Sequence, residues 1–156
     1  MSRIFNLRDD ELGEDPRAAR DGHRFRRTQL TLVHGSKLTG LSVYELSPGE
    51  AAWAYHYELN REEWLIVVSG EVVLRSPTGE RTLRAGDVVC FPPGESGAHA
   101  VRNGSAGTAR FAMPSSFAPQ GYVAIRPDSN TALIVGPGFR RIVPLDEERE
   151  YWEGEP

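Results

Sequence analysis

From Phe25 onward, short runs of β-branched and aromatic residues alternate with clusters of Gly, Pro, Asn and Ser at intervals of roughly ten residues. The runs are RTQLTLVHG, LTGLSVYEL, AAWAYHYE, EWLIVVSG, EVVLRSP, RTLRAG, DVVCFPP, AHAVRNG, TARFAMPSS, YVAIRP and TALIVG; the breaks include SPGE, SPTGE, RAGD, PPGESG and NGSAG. This spacing predicts an all-β domain of the sandwich or barrel type, with no long amphipathic helix, internal repeat or low-complexity tract. Residues 1–24 carry charge without a clear period and read as a polar, mobile N-terminal arm. The C-terminal DEEREYWEGEP reads as a solvated tail whose Tyr151 and Trp152 can anchor on a neighbouring strand or subunit. The expected organisation is an arm over 1–24, a β-barrel domain over 25–145 and a tail over 146–156.

Strand alternation sorts the faces of the two most apolar runs. In residues 52–58, Ala52, Ala54, His56 and Glu58 share one side, and Trp53, Tyr55 and Tyr57 the other. In residues 63–69, Glu63, Leu65 and Val67 oppose Trp64, Ile66 and Val68. Both faces of the second strand are apolar, so both need cover. The outward set of Trp53, Tyr55, Tyr57, Trp64 and Ile66 predicts a homodimer.

Composition narrows the field. Of 156 residues, 39% are hydrophobic and 26% charged, within the ordinary globular range and compatible with one domain. A net charge of −4 gives no basic footprint for nucleic acid or anionic lipid, and no apolar stretch reaches the length of a membrane span. The acidic N-terminus does not read as a secretory signal, so a cytoplasmic protein is expected. The single cysteine, Cys90, reads as a small hydrophobe. His23 and His34 read as surface residues, and no cluster of Arg or Lys marks the interior for a phosphorylated sugar.

Two segments carry candidate chemistry. His56 and Glu58 lie two apart on a strand, with Cβ atoms about 6–7 Å apart on one side, and Glu63 follows across the short turn LNRE. GEAAWAYHYELNREEWLIVVSG, with Gly49, His56, Glu63 and Gly70 in order, resembles the first motif of the cupin family. GDVVCFPPGESGAHAVRN, with Gly86, Pro92, Gly94, His99 and Asn103, resembles the second, and fifteen residues separate them. The resemblance covers roughly residues 40–115. It implies a double-stranded β-helix, or jelly-roll, barrel, holding a metal between side chains of both motifs: His56, Glu58, Glu63 and His99. The chain departs from the family pattern twice. Glu58 stands where the family has a second His, and four residues rather than two separate Gly94 from His99. Glu63 is preferred to Glu62 as the inward carboxylate because it lies seven before Gly70.

Two imidazoles with two carboxylates suit a divalent transition metal, Mn, Fe, Zn or Ni, and the second carboxylate shifts preference toward Mn and Fe. Glu58 is either a ligand or the catalytic proton carrier beside a three-ligand site. Asn103 is expected to fix a turn. Three functions fit these residues: a metal-dependent oxygenase, isomerase or lyase on a small-molecule substrate; a non-catalytic small-molecule or metal-binding module; and a metal-free barrel. The fold does not choose among them.

Overall fold

The computed structural model describes residues 4–16, 18, 20–116, 118, 120–146, 148, 150 and 153–154. Tyr151 and Trp152, the expected anchor, lie outside them. Twelve strands, one short helix and two 3₁₀ turns are formed by the described residues. The fold is the all-β jelly roll expected from the sequence. One sheet runs in the order β1 (Phe25–Gln29), β2 (Thr39–Leu46), β9 (Ala109–Ser116), β4 (Glu63–Ser69), β7 (Val88–Phe91). The opposing layer consists of two pieces. β6 (Gly79–Arg84), β5 (Glu71–Ser76) and β8 (Ala100–Arg102) form one. β12 (Phe139–Pro144), β11 (Thr131–Gly136), β10 (Tyr122–Arg126) and β3 (Tyr57–Glu58) form the other. The pieces are stitched by isolated bridges, Ala51 to Arg102 and His56 to His99. All named pairings are antiparallel.

The core lies between the layers. β4 buries Glu63, Leu65 and Val67, as alternation requires, against Leu46, Phe111, Met113 and Phe91. Gly70 ends β4 with φ +74°; a side chain there would press to 2.6 Å from the Thr108 carbonyl, so only glycine fits. At the other end of the core, Asn103 does fix a turn. Its amide donates to the carbonyls of Leu46 and Gly107, while its oxygen accepts from the backbone and hydroxyl of Ser105.

Several expectations need correction. The run RTQLTLVHG is not one strand: β1 stops at Gln29, and α1 (Leu30–His34) turns the chain, closed by Gly35 at φ 68°. The run 52–58 is regular only at β3; the backbone bends between the bridges at Ala51 and His56. That bend buries Ala52 and turns Trp53 inward against Tyr44 and Phe111, so Trp53 does not belong to the outer surface. β12 carries two arginines and a proline, which hid it as a strand; it is an edge strand paired only with β11. The N-terminal arm packs against the sheet. Leu12 is buried beside Leu30 and Val43, and Arg110 donates to the carbonyls of Leu7, Arg8 and Asp10. Among the described residues no helix is long and apolar enough to cross a membrane.

Candidate metal centre

His56 lies at the seam between the two pieces of the second layer, where its backbone exchanges two hydrogen bonds with His99. Each imidazole is locked by its own chain. His56 Nδ1 donates to the Ala54 carbonyl at 3.0 Å and His99 Nδ1 to the Gly97 carbonyl at 2.9 Å. A carbonyl only accepts, so both rings are in the Nδ1–H tautomer and both turn a bare Nε2 inward. Phe91 stacks on His99 at 3.8 Å with an interplanar angle of 10°, and Trp53 meets both imidazoles edge-on.

The extra residues after Gly94 form the 3₁₀ turn Glu95–Gly97. It folds so tightly that a side chain on Gly97 would collide with the Pro92 carbonyl. The longer loop therefore delivers the carbonyl that orients His99.

Glu63, buried at the start of β4, places Oε2 3.9 Å from His56 Nε2 and 3.6 Å from His99 Nε2. These three atoms all lie within 4.8 Å of one another. His99 Nε2 is buried and has no hydrogen-bond partner. A buried acceptor without a donor is costly, whereas a cation bound by metal–ligand bonds of about 2 Å, with modest closure of the side chains, would satisfy it. His56 and His99 both hold protons poorly. Burial and the neighbouring His99 lower His56 to about 4, against the pull of Glu63, and burial lowers His99. Neutral imidazoles with locked Nδ1 are the form that binds metal. The donor set fits a divalent transition ion.

Glu58 does not join the trio. Its carboxylate is held by Arg61, with Nη2 2.8 Å from Oε1 and Nε 2.8 Å from Oε2. The same guanidinium donates to Glu63 Oε1 at 2.6 Å and stacks over Tyr122 at 4.3 Å. Two buried carboxylates thus share one cation. Burial and the charge of Glu63 raise Glu58 to about 8, against the opposing pull of Arg61. Glu62 points away and accepts from the Trp64 indole, consistent with the choice of Glu63.

His56 and Glu63, with His99 buried behind them, line a cavity of about 540 Å³, in the range of small-molecule sites. Its wall corrects two expectations. His23 lines it rather than standing free on the surface. Arg27, Arg61, Arg126 and Arg140 line it as well, an interior cluster invisible along the chain because it comes from β1, the β3–β4 turn, β10 and β12. Arg61 was legible in one respect: it lies in the turn LNRE, three residues after one inward carboxylate and two before another.

Comparison with known proteins agrees with this architecture. A sugar phosphate isomerase from a cupin superfamily, of Silicibacter pomeroyi, superposes with a TM-score of 0.80 at 22% identity, over 97% of this chain and 98% of that one. A putative sugar phosphate isomerase from Acidithiobacillus ferrooxidans gives 0.75 at 22%, over 83% and 81%. A Cupin 2 conserved barrel domain protein from Salinispora arenicola gives 0.57 at 24%, over 76% and 91%. At such identities the likeness is one of fold. No curated protein matches the sequence. Residues 42–114 match the family model described as the cupin domain, a span that contains both motifs and all three converging side chains, and the chain carries a cupin domain there.

Proposed function

We propose that this cupin is a metal-dependent enzyme that moves a proton on a small oxygenated substrate, an isomerase-type reaction, with His56, Glu63 and His99 as metal ligands and Glu58 as the proton carrier. The observation that carries it is the convergence of two bare Nε2 atoms and a carboxylate oxygen, with His56 and Glu63 of that trio on the wall of a cavity of about 540 Å³ and His99 buried behind them. A divalent metal held there supplies Lewis-acid polarisation of a substrate oxygen. Glu58, raised to about 8, holds a proton near neutral pH and can give it up or take it back, the property a general acid–base needs. Arg61 keeps that carboxyl beside Glu63, and Phe91 and Trp53 shield the trio from bulk water. The description sugar phosphate isomerase borne by two fold neighbours names a reaction of this class.

Elemental analysis and solvent exchange test this. Untagged protein should carry close to one equivalent of a transition metal after reconstitution, and His56→Ala or Glu63→Gln should lower affinity by more than about 100-fold. In deuterium oxide the loaded protein should exchange the hydrogen beside the carbonyl of a hydroxy-carbonyl substrate drawn from a panel of trioses to hexoses, free and phosphorylated. Glu58→Gln should abolish exchange and keep the metal. Metal content below about one-tenth of an equivalent would favour a metal-free barrel.

Two histidines with one carboxylate are also the ligand set of oxygen-activating iron sites. Consumption of oxygen with a phenol, diketone or thiol, in place of solvent exchange, would favour an oxygenase. Binding with neither activity would favour the non-catalytic module. Pairing of two copies remains part of the proposal, through the outer face of β4 and β7 around Trp64 and Val88. Sedimentation as a monomer at high concentration would contradict it.

A further inference from the structure

Most charged side chains in this molecule have partners. Arg75, Arg84 and Arg102, all substantially exposed, each hold a carboxylate at 2.8 Å or closer, and Arg27 pairs with Asp15 at 2.8 Å. Among the described residues the exposed Arg8, Arg20 and Arg81 have no such partner, and Arg126 and Arg140 also lack one and share a cavity wall. Among the described residues neither guanidinium makes an ion pair or a hydrogen bond, although the chain carries a net charge of −4 and carboxylates are plentiful.

Strand register places both on one face. Tyr122, Ala124 and Arg126 alternate along β10; Tyr122 lies opposite Val135, and Val135 opposite Arg140. This face lines the cavity, with Ala124 and Leu133 between the two arginines as small or apolar wall that supplies no counter-charge. Burial, then the like charge of Arg140, lowers the proton affinity of Arg126, the direction for a cation without an anion beside it.

We propose that Arg126 and Arg140 dock a phosphate monoester dianion, so that the substrate is a small phosphorylated compound with its oxygenated end at the His56–Glu63–His99 trio. Two unpartnered guanidiniums on one wall match a dianion: a single negative charge would leave one of them uncompensated, and the planar donor fork suits phosphate oxygens. Arg126 is half-buried and lines the same cavity of about 540 Å³ as His56 and Glu63, which brings the docking point within a small molecule's length of the trio. The orientation of the ester rests on the proposed metal site; the anion site itself does not.

Calorimetric titration of inorganic phosphate into the full chain, treated with EDTA and held at low ionic strength, tests the anion site alone. Phosphate should bind the wild type. Arg126→Met and Arg140→Met should each weaken binding by about tenfold, and Arg140→Lys should retain most of it. Arg140 is exposed on an edge strand, so its variants report binding rather than folding. Acetate should bind at least about tenfold more weakly than phosphate. His56→Ala should lose metal and keep phosphate, which separates failure of the metal site from failure of this one. Phosphate binding that is absent without metal, unchanged in Arg140→Met, or matched by acetate would overturn the assignment.

Discussion

Two arginines are largely buried among acidic groups in this molecule, and they end differently. Arg110 donates to Glu45 and to three backbone carbonyls of the N-terminal arm, so one cation meets one carboxylate and a set of neutral acceptors. Arg61 meets two carboxylates, and beside them stands an imidazole nitrogen with no partner at all. The first cluster is closed and holds the arm to the sheet. The second crowds two carboxyl groups onto one guanidinium, which raises the proton affinity of Glu58, and leaves an unused lone pair that a bound cation would complete. Stability and chemistry are separated here by whether the polar inventory balances.

The largest effect expected from breaking this contrast is at the closed cluster. Arg110→Met should cost about 3–5 kcal/mol in urea unfolding, because Glu45 and three carbonyls lose their donor together, while metal affinity stays as in the wild type. Arg61→Met should behave in the opposite sense. Without metal it should destabilise by about 2–3 kcal/mol, yet it should tighten metal binding about tenfold, since the competing cation at Glu63 is gone. Equal metal affinity in wild type and Arg61→Met would remove the distinction between the clusters.

A smaller effect sharpens the charge argument. Burial and the charge of Glu63 raise Glu58 from the ordinary 4.5 to about 8 in the folded chain, so the folded state keeps a proton that the unfolded state has released. That contribution is present below 4.5 and is lost as pH rises toward 8. His56, lowered to about 4 from 6.5, contributes in the reverse direction, losing stability as pH falls from 6.5. His99, also lowered, acts below 6.5 as well. Above pH 6.5 the loss at Glu58 outweighs the last of the gain from the two histidines, so EDTA-treated protein should lose about 1 kcal/mol between pH 6.5 and 8. Glu58→Gln should abolish that loss, as judged by denaturant midpoints across the pH series. A local effect is expected at the turn after Gly94: Gly97→Ala forces a methyl against the Pro92 carbonyl, so it should displace the carbonyl that orients His99, weaken metal binding by about tenfold, and also destabilise the metal-free chain by about 1 kcal/mol or more in urea unfolding.

Where the chain runs as regular strand, its sequence predicts its structure well. The alternation across 63–69 put Glu63, Leu65 and Val67 on one face, the motif spacing to Gly70 chose that face as the inner one, and all three are buried. The two motifs led to the jelly roll and to His56, Glu63 and His99, which converge. Sequence alternation fails where the strand geometry fails. The bend at 52–55 buries Ala52 and packs the half-buried Trp53 against the same core, and period two cannot represent two successive inward side chains. β12 was hidden because an edge strand tolerates Arg140, Arg141 and Pro144, residues that an interior strand excludes. The arginine cluster was hidden for a topological reason, since Arg61, Arg126 and Arg140 approach one cavity from separate segments. Glu58 shares the alternation of His56, as expected, but its partner was decided by Arg61 within the turn, through charge and not through periodicity.

Among the described residues the wall formed by β10, β11 and β12 meets the rest of its layer through a short ladder, Ala124 with Glu58 and Ile125 with Tyr57, extended by the Leu59 amide donating to the Val123 carbonyl. Asn60 adds two side-chain hydrogen bonds near that junction, and the exposed Arg75–Asp128 pair adds one outer tie. So short a join gives the cavity a natural hinge line: these three strands can separate from the barrel as a unit at a lower free energy than global unfolding, and their amide hydrogens should exchange sooner than those of β2, β9 and β4. Traffic into and out of the interior would then be timed by the breathing of this flap.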